Sequence, residues 1–146
     1  IIMVGGGSLL ESVKKESQSE DLPIIFLGWR NDPENLIAAS DLLLMTSKNE
    51  GTPISAIQAQ VLGIPVLTTD VGAVREIVAD LETGYVRAYD PNLFSELILR
   101  ICNDKVLWRN QSTNAKHLSE GRFSVSRLTQ DHETLYQKLM TRNPAS

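Results

Sequence analysis

Glu50 and Gln58 stand eight residues apart, with Gly51-Thr52-Pro53 between an apolar run and a helical pattern. The run Asp41-Leu42-Leu43-Leu44-Met45 reads as a buried parallel strand. Thr52 suits an N-cap, and Pro53 suits the first helical position, where a missing N–H costs nothing. The free amides of such a first turn, together with the helix dipole, attract an anion such as a phosphate. A carboxylate beside that site would repel it. Glu50 is therefore read as a binder of hydroxyl groups on a ligand that also carries phosphate, and a nucleotide sugar has that chemistry. Gln58 falls on the face of Ile54, Ile57 and Val61, a polar group on an apolar stripe. A buried amide without a partner costs about 1–3 kcal/mol. Gln58 thus either bonds backbone or turns to ligand hydroxyls, and the sequence leaves both readings open.

Other residues are read against plainer alternatives. Gly5-Gly6-Gly7 follows a strand and opens a helix, but a dinucleotide fingerprint needs a small residue where Leu10 stands. The glycines fit a tight turn, or a place where backbone approaches a ligand. Arg30, in Trp29-Arg30-Asn31-Asp32, has a flat guanidinium that could stack on a base or pair with phosphate, with a solvated arginine as the competing reading. Glu76 is read as structural, capping or bridging loops, and Gly84 as a turn glycine. His117 and His132 fit helix surfaces, and Cys102 is the single cysteine. These exclude a disulfide framework and give no metal-ligand pattern. No Ser-His-Asp or Cys-His constellation is visible.

Strands at 1–4, 24–27, 42–45 and 65–68 alternate with helices at 9–16, 33–39, 53–62 and 74–79, and Tyr85-Val86 adds a short strand. This alternation predicts an α/β fold, a Rossmann-like parallel sheet flanked by helices. Past Asp90 only helices are expected: 92–103 behind Pro91, 105–118 ended by Gly121, and 126–140, with a frayed tail over 141–146. The first carries an apolar stripe of Leu93, Phe94, Leu97, Ile98 and Ile101. A length of 146 residues fits one domain. A formal net charge of −4 argues against a nucleic-acid partner. No run approaches the roughly 18 apolar residues of a membrane span, so a cytoplasmic setting is the default reading. The abrupt opening on Ile1-Ile2-Met3-Val4 is read as the edge of a longer polypeptide.

Taken in order, these pieces resemble the C-terminal, donor-binding half of a retaining glycosyltransferase with the GT-B fold, in the group 1 family. The landmarks are Ile2-Met3-Val4-Gly5-Gly6-Gly7, Ile25-Phe26-Leu27-Gly28, Ala39-Ser40-Asp41-Leu42 through Ser47, and Glu50-Gly51-Thr52-Pro53. They continue with Gly63-Ile64-Pro65-Val66-Leu67-Thr68-Thr69, Gly72 with Glu76, and Thr83-Gly84. The family signature is E-x7-E. The resemblance implies that Glu50, in its first position, holds donor-sugar hydroxyls as the catalytic-site acid. Gln58 departs from the second, ribose-binding position: an amide lacks the charge that makes carboxylate hydrogen bonds stronger. It further implies that Arg30 contacts the base, that Gly51, Thr52, Pro53 and Ile54 line the diphosphate and sugar pocket, and that Gly6 and Gly7 face an interdomain cleft. A nucleoside-diphosphate sugar would be the donor, with no metal and no cofactor. The acceptor-binding domain and a basic segment upstream would lie outside this chain, and any peripheral membrane contact would come through that absent half. The C-terminal helices would then expose an apolar face that favours self-association. A non-catalytic nucleotide-sugar module is the main alternative and a sugar-nucleotide epimerase a lesser one.

Overall fold

The computed structural model describes residues 1–141, so the expected frayed tail beyond Thr141 lies outside the described residues. The chain forms two compact units, Ile1–Leu36 and Ile37–Ser146.

The first unit is built on two parallel strands, β1 (Ile2–Val4) and β2 (Ile25–Gly28), joined through helix α1 (Leu10–Ser19). Ile2 pairs with Ile25 and Met3 with Phe26, and the register then shifts so that Val4 meets Gly28. Both strand ends turn at glycine: Gly5 has φ +102° and Gly28 has φ +64°, conformations that L side chains rarely adopt. All three β1 residues are exposed, and β2 is half-buried past Ile25. With α1 and the start of α2 (Pro33–Ala38) as its helices, this unit has too little material to cover both sheet faces.

The second unit carries a three-stranded parallel sheet in the order β3 (Leu43–Met45), β4 (Val66–Thr69), β5 (Gly84–Arg87). Its strands obey the two-residue alternation of a pleated sheet. Met45, Val66 and Val86 join one core with Ala56 and Ala59 of α3 (Ile54–Leu62). Leu67 and Tyr85 join another with Phe94, Leu97 and Ile101 of α4 (Pro91–Asn103). Helices therefore cover both faces, with central β4 buried at every residue. Leu67, Val66 and Ile101 are fully buried, each worth roughly 1.5–3 kcal/mol of apolar transfer.

Helix ends follow local chemistry. Asp90 caps α4 by accepting from the amides of Asn92 and Leu93, with Pro91 in the first turn. Asp104 does the same for α5 (Lys105–Arg122) through Val106 and Leu107. Gly121 does not stop α5. It has no positive φ and faces open space, while Gln111, Ala115 and Ser119 keep the buried face running to Arg122. The helix expected over 74–79 is only a 3-10 turn, Val74–Glu76. The amide of Ala79 is taken by the Thr83 hydroxyl at 3.0 Å, which closes the segment. The last helix, α6 (Val125–Thr141), buries no residue.

Candidate functional site

The loop from Thr46 to Pro53 carries Glu50 from the end of β3 to the start of α3. Three bonds hold it. The Thr69 hydroxyl donates to the Ser47 carbonyl at 2.6 Å, the Ala73 amide donates to the Gly51 carbonyl at 3.0 Å, and the Ser55 hydroxyl reaches Met45 Sδ at 3.8 Å. Gly72 completes the clasp. Its φ is +55°, and a β-carbon there would strike the carbonyl oxygen of Glu50. Any larger residue at 72 pushes the Glu50 loop away from the end of β4.

The cap of α3 differs from the expected one. Pro53, at φ −70° and ψ 113°, is itself the N-cap, and the helix starts at Ile54. Thr52 lies one residue outside and makes no capping bond. Proline has no side-chain oxygen with which to replace it. Among the described residues the amides of Gly51, Thr52, Ile54, Ser55 and Ala56 consequently meet no protein acceptor, the first returning bond being Ile57 N–H to Pro53 at 3.3 Å. Those of Ile54, Ser55 and Ala56 are the free donors of an uncapped first turn, at the positive end of the dipole.

Glu50 is half-buried, and among the described residues its carboxylate has no hydrogen-bond partner. Gln58 is also half-buried, and among the described residues its side chain makes no hydrogen bond. The expected stripe is not the core face as a whole: Ile54 is 70% exposed and Val61 51%, and only Ile57 packs on the core. The core side is Ala56, Ala59 and Gln60, so the buried amide of α3 is Gln60, whose Nε2 donates to the Thr83 carbonyl at 3.2 Å.

The C-terminal ends of β3, β4 and β5 open into a cleft of about 380 Å³ lined by Thr46, Ser47, Lys48, Thr69, Asp70, Val71, Ala88 and Tyr89. Ligands of open parallel sheets bind at this edge. Neither Glu50 nor the first turn of α3 lines the cleft itself. Lys48 and Tyr89 were not nominated from sequence, although they lie three and two residues past the ends of β3 and β5, and that position was the available signal. Asp70 would make the cleft repel anions, but Arg75 forks onto it, Nε at 2.8 Å and Nη2 at 2.6 Å. Hydrogen bonding to Arg75 holds the Asp70 carboxyl below its ordinary value, so it is ionised and charge-matched. Glu76, expected to cap or bridge, is exposed, and among the described residues its side chain makes no hydrogen bond.

In the first unit, Gly6 lies under the Trp29 indole, whose Nε1 would stand 2.9 Å from a β-carbon there. Gly7 has open space around it. Arg30 is exposed and forks onto Asp32 at 2.8 and 2.9 Å, a bond that raises its pKa and lowers that of Asp32.

A family model described as "Glycosyl transferases group 1" matches residues 1–118. The chain belongs to the group 1 glycosyl transferases. Among curated relatives, a UDP-Gal:alpha-D-GlcNAc-diphosphoundecaprenol alpha-1,3-galactosyltransferase of Escherichia coli is 27% identical over 139 residues, 92% of this chain and 36% of that protein. An N-acetyl-alpha-D-glucosaminyl L-malate synthase of Bacillus anthracis is 27% identical over 145 residues, 96% of this chain and 38% of that protein. Crystal structures of Anabaena HepE with UDP, with UDP and glucose, and with UDP-glucose superpose at a TM-score of 0.85 and 25% identity, covering 93% of this chain and 40% of that one. The group 1 chain described here thus spans well under half the length of these relatives. Among its described residues no helix is long and apolar enough to cross a membrane.

Proposed function

We propose that this chain is the donor-binding part of a retaining glycosyltransferase, which moves a sugar from a nucleoside-diphosphate sugar to an acceptor hydroxyl. The observation that carries the reading is the uncapped first turn of α3 directly after an unpartnered Glu50, the two held in place by Gly72. Free amides suit a diphosphate, and the unpaired carboxylate suits sugar hydroxyls. HepE of the same fold binds UDP and UDP-glucose, which supports a uridine nucleotide as the first donor to try.

In this reading the bond between the sugar's anomeric carbon and the phosphate oxygen breaks, its electron pair leaving with the diphosphate. The amides of Gly51, Thr52, Ile54, Ser55 and Ala56 take up the negative charge that develops. Glu50 accepts hydrogen bonds from donor hydroxyls and fixes the sugar against the departing group. The acceptor oxygen attacks from the face the phosphate leaves, and its proton passes to a phosphate oxygen, so configuration is retained. Gln58 meets the ribose hydroxyls with a neutral amide. Gly6, Gly7 and Arg30 are assigned to the same donor by the family pattern, and no metal or cofactor is invoked. The acceptor is read by a part of the protein outside this chain, with the reaction on the cytoplasmic side.

The direct test is isothermal titration of the chain with UDP, UDP-glucose and their guanosine and adenosine counterparts. Saturable binding of one nucleotide sugar is expected, and a folded chain that binds none of them refutes the proposal. Gln58 favours one second reading, a module that binds the donor without turning it over. Restoring glutamate at 58 in a longer protein that includes the acceptor-reading part separates the two: a gain from no turnover to turnover supports the binding module.

A further inference from the structure

Parallel pairing of β3 with β4 ends where Met45 meets Thr68. The ladder begins with the Leu43 amide on the Pro65 carbonyl, so further steps of two residues would bring the Ser47 amide to the Thr69 carbonyl. Among the described residues that bond is not made. The Thr69 carbonyl accepts instead from the Val71 amide at 3.0 Å and the Thr68 hydroxyl at 3.1 Å. The next amide of β4, from Asp70, turns the other way to Arg87 of β5. The backbone of β4 therefore gives the departing loop nothing to hold at Ser47. The side chain of Thr69, itself buried, does so: its hydroxyl donates to the Ser47 carbonyl at 2.6 Å. The next attachment is the Ala73 amide on the Gly51 carbonyl. Between the two, Lys48, Asn49 and Glu50 make no hydrogen bond among the described residues. Gly72 limits how near the Glu50 carbonyl can come but exerts no pull on it.

On the donor reading above, we infer that Thr69 is a positioning residue for Glu50, its hydroxyl setting the preference for a sugar-bearing nucleotide without touching the ligand. The two attachments divide the loop by task. The free amides of Ile54, Ser55 and Ala56 lie beyond Gly51, whose bond to Ala73 does not involve Thr69. Glu50 lies before Gly51, on the span whose other end is tied by the hydroxyl alone. Without the hydroxyl the span keeps one end, so the carboxylate moves relative to the sugar while the first turn of α3 stays in place. A charge-assisted hydrogen bond weakens steeply once distance and angle are lost. The sugar's share of the affinity therefore depends on Thr69, and the diphosphate's share does not. Serine can make the same bond, whereas valine keeps the β-branched shape that suits a strand but has no donor.

Calorimetric titration of the whole chain with UDP and with UDP-glucose tests this on five proteins: the native chain, Thr69→Val, Thr69→Ala, Thr69→Ser and Glu50→Gln. Thr69→Val sets a methyl against the Ser47 carbonyl, and Thr69→Ala removes the hydroxyl with nothing in its place. Both should bind UDP as the native chain does and lose roughly three- to tenfold in affinity for UDP-glucose. Thr69→Ser should keep the native preference. Thr69→Ala combined with Glu50→Gln should bind UDP-glucose no worse than Glu50→Gln alone, since a carboxylate that is gone cannot be misplaced. A hydroxyl that only stabilises the fold would lower both ligands together and would add its loss to that of Glu50→Gln. Equal losses for the two ligands, additive losses in the double variant, or an unchanged preference in Thr69→Ala overturn the role of Thr69, and native UDP-glucose binding leaves the donor reading standing. A native chain that binds neither ligand overturns the donor reading and the role of Thr69 with it.

Discussion

Gly72 touches the backbone of Glu50 so closely that no β-carbon fits between them. A residue at the end of β4 thus sets the position of a carboxylate that follows β3. The adjacent bond from Ala73 to Gly51 fixes the same approach from the next residue. Both of these anchors are backbone, and the Thr69 hydroxyl on the Ser47 carbonyl holds the loop's other end, so the Glu50 loop is placed from the end of β4.

Gly72→Ala is expected to destabilise the second unit by about 1–3 kcal/mol, through the left-handed φ and the displaced loop. Affinity for UDP-glucose should fall with it. Urea denaturation alongside titration checks both, and an unchanged affinity would show that the loop's position is immaterial.

Glu50→Gln should leave UDP binding near its original value and weaken UDP-glucose by roughly tenfold, the loss of a charge-assisted bond to sugar hydroxyls. Comparing the two ligands on one variant isolates the sugar contribution. Equal losses for both would move Glu50 to the nucleotide.

Gln58→Glu should act on the other half of the ligand. The side chain is half-buried and makes no hydrogen bond among the described residues, so a carboxylate can be accommodated without breaking an existing bond. Affinity for UDP and for UDP-glucose should rise together, by several-fold. A fall in both would place Gln58 near phosphate instead.

Gln60 offers a contrast two residues on. Its Oε1 is buried without a partner, while the Thr83 carbonyl it bonds also receives the Val66 amide at 3.4 Å. Gln60→Leu removes the orphan and strands nothing, so stability should change by less than about 1.5 kcal/mol. Gln60→Glu buries an uncompensated charge and should unfold far more easily. Thermal melts of the two variants suffice.

The Asp70–Arg75 fork predicts a pH dependence of definite sign. The folded-state pKa of Asp70 lies below its ordinary 3.8, so its contribution is complete above that value and disappears as pH falls through the lower folded one. The stability gap between the native chain and Asp70→Asn should therefore be constant near neutrality and close in strong acid. Both partners are solvent-accessible, so the gap is small and shrinks with salt. A gap that widens on acidification would contradict the assignment.

The sequence by itself determined the alternation of strands and helices, the Asp90-Pro91 start of α4, the family, and the place of the Glu50 turn. Each depends on contacts a few residues apart or on a residue type with one strong preference, as proline and glycine have. Apolar periodicity alone misjudged α3. Ile54 and Val61 of the expected stripe are exposed and only Ile57 packs on the core, whose buried α3 residues are Ala56 and Ala59, small enough to let the helix approach closely, with Gln60 beside them. Only the tertiary structure decided which glutamine is buried, that Pro53 and not Thr52 ends the turn, and that Gly121 continues its helix. It alone brought Gly72 against Glu50 and Arg75 onto Asp70. Those relations join different loops at the sheet edge, and strand register sets such distances, which no local preference encodes.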